Sequence, residues 1–235
     1  MPKIATEDAH LTVLNLFTTD APEKQERLIH EMRQIVDAAT YPGWISSTVH
    51  SGINSPGTAN FIQWRSGEDL QERYKGEEFK HRTLPVFGEI TTSIRLLQNE
   101  IAYAQRHPKL NGVTAISPDR DDYTVIEVFN VTEENQHALV DALGSGQEWL
   151  LDVPGYRSHS VLRTIGARGP QGPLENTFVV RYSQWDSKEA HDAFITTADD
   201  QKSPERQKLE AQVAALILSR DWNSYRVVHT RAAGE

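Results

Sequence analysis

The sequence predicts an α+β chain built as two tandem split-βαβ units, and three observations carry that reading. Leu11-Thr-Val-Leu-Asn-Leu-Phe17 returns as Tyr123-Thr-Val-Ile-Glu-Val-Phe129, and Pro42-Gly43-Trp44 as Pro154-Gly155-Tyr156, both 112 residues on. Gln63-Trp64-Arg65-Ser66 returns as Gln184-Trp185-Asp186-Ser187 after 121, so nine extra residues fall between; the Gly/Pro-rich run from Gly166 to Pro173 is expected to supply them as a loop. Each copy reads β-α-β-β-α-β, the apolar period switching between two and 3.6 at the same places.

Leu11 to Phe17 forms the first strand, with Leu11, Val13, Asn15 and Phe17 on one face. Asp20-Ala-Pro-Glu23 has the form of a capping box and opens a helix whose Leu28, Met32, Ile35 and Val36 recur at helical spacing, until Tyr41-Pro-Gly43 ends it. Trp44 to Ser51 and Ala59 to Trp64 follow as strands around a Gly52–Gly57 hairpin loop. Ser66, with Asp69 three residues on, caps a helix that turns Leu70 and Tyr74 inward. A broken helical pattern spans Glu77 to Leu97, and Glu100 to Gln105 closes the unit.

The second unit repeats the plan with a strand from Tyr123 to Phe129 and a helix from about Thr132 to Leu151, weakened at Gly144 and Gly146. Strands Tyr156 to Arg163 and Thr177 to Trp185, helices from Ser187 and a last strand Tyr225 to Thr230 complete it. The predicted domains are residues 1–107 and 122–235, with 108–121, rich in Pro, Gly and charge, as linker. Ferredoxin-like modules of this kind cover one sheet face with helices and leave the other bare. The second copy is the obvious cover, so the two sheets are predicted to pack face to face as an internal pseudo-dimer.

Composition narrows the function. The chain is 38% hydrophobic and 24% charged, as in an ordinary globular protein, and its net charge of −9 without a basic run argues against nucleic acid. No apolar run nears 18 residues and the N-terminus lacks a charged-then-apolar layout, so a cytoplasmic protein without a membrane partner is expected. The absence of cysteine excludes disulfides, thiolate catalysis and thiolate metal sites. No two of the nine His lie closer than twenty residues, and no Gly-x-Gly-x-x-Gly follows a strand; a site gathered from distant strands stays open.

The motifs resemble the antibiotic biosynthesis monooxygenases, a family of the dimeric α+β barrel superfamily. The resemblance covers nearly the whole chain, once per half. It rests on Gln147-Glu-Trp-Leu-Leu-Asp-Val-Pro-Gly-Tyr156 with Tyr182-Ser-Gln-Trp-Asp-Ser-Lys-Glu-Ala190, and on Phe61-Ile-Gln-Trp-Arg-Ser66 with Glu78-Phe-Lys-His-Arg-Thr-Leu-Pro85. It implies an oxygenase that turns an anthrone-like aromatic polyketide into a quinone, with O2 as co-substrate and no other cofactor or metal. Whether two such chains associate further as a homodimer is left open.

The family's functional set is an Asn four residues before the Trp, the Trp, a Tyr six after it and an Arg about twenty after it. In the first half these positions hold Asn60, Trp64, Leu70 and, two residues early, Arg82; in the second they hold Arg181, Trp185, His191 and Arg206. Neither half keeps the full set. Alternation puts Asn60 with Trp64, and Arg181 with Trp185, on one strand face, expected to line the space between the two sheets and offer donors to an enolate oxygen.

The resemblance implies that the second half carries the chemistry, with Trp185 and Arg181 on the oxyanion, His191 as base and Arg206 positioning the substrate. Asn60, Trp64, Asn15, His81 and Arg82 would form a lesser binding pocket. The plainer alternatives are that each Trp anchors a core through a backbone-bonded N–H, that Arg181 pairs with Glu127, and that His191 is a satisfied or solvated side chain. His50 and His159 are further candidates. Two other functions keep the fold: haem degradation, whose pattern Asn15, Tyr74 and His81 resemble, and non-catalytic small-molecule binding.

Overall fold

The computed structural model describes residues 1–77, 79, 83–110 and 113–235. The first half runs β1 (Lys3–Ile4), β2 (Leu11–Thr18), α1 (Pro22–Asp37), β3 (Trp44–Gly52), β4 (Gly57–Trp64), α2 (Gly67–Lys75), α3 (Leu84–Ile90) and β5 (Ser93–Arg106). The second runs β6 (Thr114–Ala115), β7 (Tyr123–Val131), α4 (Glu133–Gly144), β8 (Tyr156–Gly169), β9 (Gly172–Pro173), β10 (Thr177–Trp185), α5 (Lys188–Ile195), α6 (Pro204–Leu216) and β11 (Ile217–Ala232). Eight strands follow the order β10-β7-β11-β3-β4-β2-β5-β8, and β8 pairs back onto β10, so the two ferredoxin-like sheets close into one antiparallel barrel.

The closure explains where the elements depart from the sequence reading. β5 begins at Ser93 rather than Glu100 because its first half pairs with β2 and its second half crosses to β8 of the other unit. β11 does the same between β7 and β3 and starts at Ile217. Register shifts in both long strands blur the period-two signal that would have marked them. The Gly166–Pro173 run forms the end of β8 and its β9 hairpin instead of an open loop. The helix expected to reach Leu151 stops at Gly144, and Glu148–Asp152 form a separate 3₁₀ turn; Gly146, with φ +68, breaks the helix between them. Ala21, not Asp20, caps α1, while Asp20 reaches Lys24 at 3.0 Å.

The barrel interior is filled mainly by apolar side chains. Leu14, Leu16, Phe61 and Leu97 of the first half meet Ile126, Val128, Leu162, Val180 and Tyr182 of the second. At roughly 1.5–3 kcal/mol for each such side chain, this shared core is a main source of the chain's stability. The Gln of the Gln-Trp repeat faces this interior and is architectural. Gln63 accepts from Ser46 Oγ (2.9 Å) and donates to the Lys3 carbonyl, and Gln184 accepts from Ser158 Oγ (2.8 Å) and donates to the Ala115 carbonyl. The two glutamines thus hold β1 and β6, which pair with each other and set Ile4 and Ile116 into the barrel core.

His50 also lies inside the barrel. Its Nδ1 donates to the Ala59 carbonyl (3.1 Å), so Nε2 accepts from Tyr182 of the other half (2.9 Å). Burial lowers its pKa to about 4. It spans the two halves and stands away from either helix-covered face.

Candidate active site

Alternation along β4 and β10 sends Phe61, Gln63, Tyr182 and Gln184 inward and the candidate residues outward. Asn60, Trp64, Arg181 and Trp185 therefore face the helices, not the space between the sheets. Apart from a pocket of about 110 Å³ beside Leu16, Ile126 and Tyr225, the barrel interior is packed with side chains, and the larger room for a ligand lies beneath the helices of the second half. Each half consequently has its own cavity, and Trp64 does not share one with Trp185 and Arg181.

The two cavities differ in size and charge. The first, of about 90 Å³, lies between β2, β4 and α1–α3. Tyr41 stacks on Trp64 with centroids 6.4 Å apart, and Leu70 packs beside them. Asn15 stands opposite Asn60 in the β2–β4 register. Asn15 Oδ1, Asn60 Oδ1 and Trp64 Nε1 are buried with no hydrogen-bond partner among the described residues. His81 and Arg82 lie outside the described residues.

The second cavity, of about 650 Å³, opens between the β7–β10–β11 sheet and α4–α6. Trp149, Trp185, Trp222 and Phe194 supply aromatic walls. Glu127 occupies the place of Asn15, opposite Arg181, and Arg181 Nε donates to its Oε2. Arg220 of β11 pairs with the other carboxylate oxygen. Burial alone would raise the Glu127 pKa, but Arg181 and Arg220 outweigh it and hold the carboxyl below its ordinary value. The ion pair that was one alternative for Arg181 is thus formed, while the residue still lines the cavity and its Nη groups meet no acceptor among the described residues.

Trp185 contributes a face rather than a donor, because its N–H is taken by Ser183 Oγ at 3.2 Å. Ile62 occupies that place in the first half, which is why the Trp64 N–H is left without a partner. His191 is buried, with its ring 5.4 Å from Trp185; Nδ1 has no hydrogen-bond partner, Asp192 Oδ1 standing 4.0 Å off. Burial is the largest influence on its pKa and lowers it, so the imidazole is neutral at neutral pH. His159 accompanies it, with Nδ1 on the Tyr156 hydroxyl at 2.8 Å and a pKa lowered by burial to about 4. Arg206 lies 4.0 Å over the Phe194 ring and donates through Nε to Glu210 (2.8 Å), which Lys202 also meets (2.7 Å).

The structure thus gathers Arg181, Trp185, His191 and Arg206 around one cavity and places Asn15, Asn60 and Trp64 around another. Arg220, Trp149 and Trp222 also line this cavity, and the sequence reading did not name them as site residues. The β11 pattern is irregular, and only the β7–β11 register reveals that Arg220 falls beside Phe129 and Trp222 beside Glu127. No group of three or more His, Asp or Glu among the described residues is arranged to hold a metal ion, and none of their helices is long and apolar enough to cross a membrane.

A barrel of two fused ferredoxin-like halves, each with a pocket under its helices, defines the class of dimeric α+β barrel proteins. The sequence pattern described as antibiotic biosynthesis monooxygenase matches residues 122–203. A crystal structure described as an anthrone oxidase-like protein is 59% identical, covers 100% of this chain and 98% of its own, and superposes with a TM-score of 0.95. Structures from Fusobacterium nucleatum and Lactobacillus acidophilus share the fold at 10% identity, with TM-scores of 0.61 and 0.57; the first match covers 96% of both chains, the second 96% of this chain and 97% of the other. No curated protein matches the sequence. The chain belongs to the antibiotic biosynthesis monooxygenase family and is an oxygenase.

Proposed function

We propose that the second half oxidises an anthrone-like polycyclic aromatic to the corresponding quinone with O2 and without a flavin, haem or metal. The observation that carries this reading is the cavity of about 650 Å³ in which three indoles and a phenyl ring surround Arg181 and a neutral, buried His191. Its volume suits a ligand of three or four fused rings. The anthrone oxidase-like relative, at 59% identity, supports the choice of substrate class.

The chemistry needs a base, an oxyanion partner and a dry site. His191 takes a proton from the CH2 group para to the anthrone carbonyl, and Arg181 Nη stabilises the enolate oxygen. The carbanion passes one electron to O2, and the radical pair combines into a peroxide that recovers the proton from His191. Loss of the second C–H proton with cleavage of the O–O bond releases water and leaves a carbonyl. The balance is CH2 plus O2 giving C=O plus H2O. Arg206, held over Phe194, positions the ring system, and Trp185 forms its wall.

Incubating the purified, metal-free protein with anthrone under air and following quinone absorbance tests the proposal. Acceleration over the spontaneous reaction that His191→Leu removes is the expected result. No acceleration, or full activity in Arg181→Met, would overturn it.

A further inference from the structure

The charges around the second cavity do not balance, and their arrangement says which form of the ligand fits. Glu127 is the carboxylate for two guanidiniums, Arg181 from β10 and Arg220 from β11. Among the described residues lining the cavity the only other carboxylate is Glu210, and it is shared by Arg206 and Lys202 at the far side. The acids adjacent to the triad are engaged elsewhere: Asp221 with Arg95, and Asp192 with Lys188. The two imidazoles that face the triad, His159 from β8 and His191 from α5, are neutral. One positive charge is therefore unanswered where the cavity meets the sheet, in a chain whose net charge is −9. An uncompensated guanidinium beside a low-dielectric cavity favours an anion there over a neutral group.

We infer that this cavity takes its hydroxylated aromatic ligand as the phenolate anion, ionised at a ring hydroxyl, and that Arg220 is the residue that selects the charged form. Arg220 is the specificity determinant because Arg181 and Glu127 alone form a neutral pair. In the β2–β5 register of the first half Ile94 stands beside Phe17, as Arg220 stands beside Phe129 in the second, so the first cavity has no guanidinium at this place. The side chain of Arg220 is 45% exposed, so water and salt screen part of its field and a moderate effect is expected. The inference rests on reading this cavity as the substrate site.

The probe is 2-hydroxyanthraquinone, whose neutral and phenolate forms absorb at different visible wavelengths. Titrated with pH in the presence of excess protein, the bound phenol should ionise at least one pH unit below the free one. The methyl ether, which cannot ionise, should bind about tenfold more weakly or worse at neutral pH. Arg220→Gln should return the bound ligand at least half-way to the free value, and Arg220→Lys, which keeps the charge, should retain most of the shift.

Binding as the neutral phenol, equal affinity for the ether, or an unchanged shift in Arg220→Gln would each overturn the inference. Anthrone turnover decides the proposed function separately. Turnover without the spectral shift leaves that reading standing and removes this one; failure of both anthraquinones to bind also removes it.

Discussion

Glu127 on β7 and Arg181 on β10 stand directly across from each other and share a hydrogen-bonded ion pair, at the position where Asn15 faces Asn60 in the first half. One place in the repeat thus holds two amides in the first half and two opposite charges in the second. The surrounding fold is the same, so the difference is one of site chemistry. Beside it, Ile62 against Ser183 and Leu70 against His191 extend the contrast.

Breaking the pair on one side should be costly. Arg181→Met leaves Glu127 buried with Arg220 as its one cation, and a loss of about 2–4 kcal/mol of stability is expected, below the full cost of an isolated charge. The double substitution Glu127→Asn with Arg181→Asn copies the first-half pair and should recover most of that stability while activity stays lost. Chemical denaturation and quinone formation on the same three proteins check both statements.

His191 should control the acid limb of the pH–rate profile. The neutral imidazole is the base, and burial lowers its pKa below the ordinary 6.5. The acid limb of the rate should centre below 6.5; His191→Leu should lower kcat by about 10² or more. A limb centred above 6.5 would assign the base elsewhere. Trp185→Phe should cost less than tenfold, because the indole N–H is already held by Ser183.

Acid should unfold the protein through His50 and His159. Both have pKa values lowered from 6.5 to about 4, so the unfolded chain binds protons that the folded chain refuses. Stability is therefore full above 6.5 and declines as pH falls toward 4, by at most about 3 kcal/mol for each imidazole. Denaturant midpoints measured across that window give the slope, and His50→Gln should flatten it.

Gly144 tests tertiary packing against local propensity. Replacing a helical Gly by Ala ordinarily stabilises by up to about 1 kcal/mol. Here a Cβ at Gly144 would overlap the Tyr103 ring, so Gly144→Ala is expected to lower stability by about 1–3 kcal/mol instead. Thermal melting distinguishes the two signs. Removing the ring with Tyr103→Ala should make Gly144→Ala tolerable in the double variant.

Much of the fold was legible because repetition and period are local properties. The 112-residue echo, the alternation in β2, β4 and β10 and the Ser66 cap could all be read along the chain. Arg181, Trp185, His191 and Arg206 were implied by the resemblance to the family, whose functional set falls on them, and the structure brings them to one cavity.

The sequence by itself determined that the chain is two like units, which residues share a strand face, and that the second unit carries charge where the first carries amides. Only the tertiary structure decided which face meets the helices, that the long β5 and β11 cross between halves to close the barrel, and that Arg220 and Trp222 join the site. Alternation sorts side chains into two sets without saying which set is inside. That choice follows from burial against partners far along the chain, and strand pairing across the halves supplies those partners.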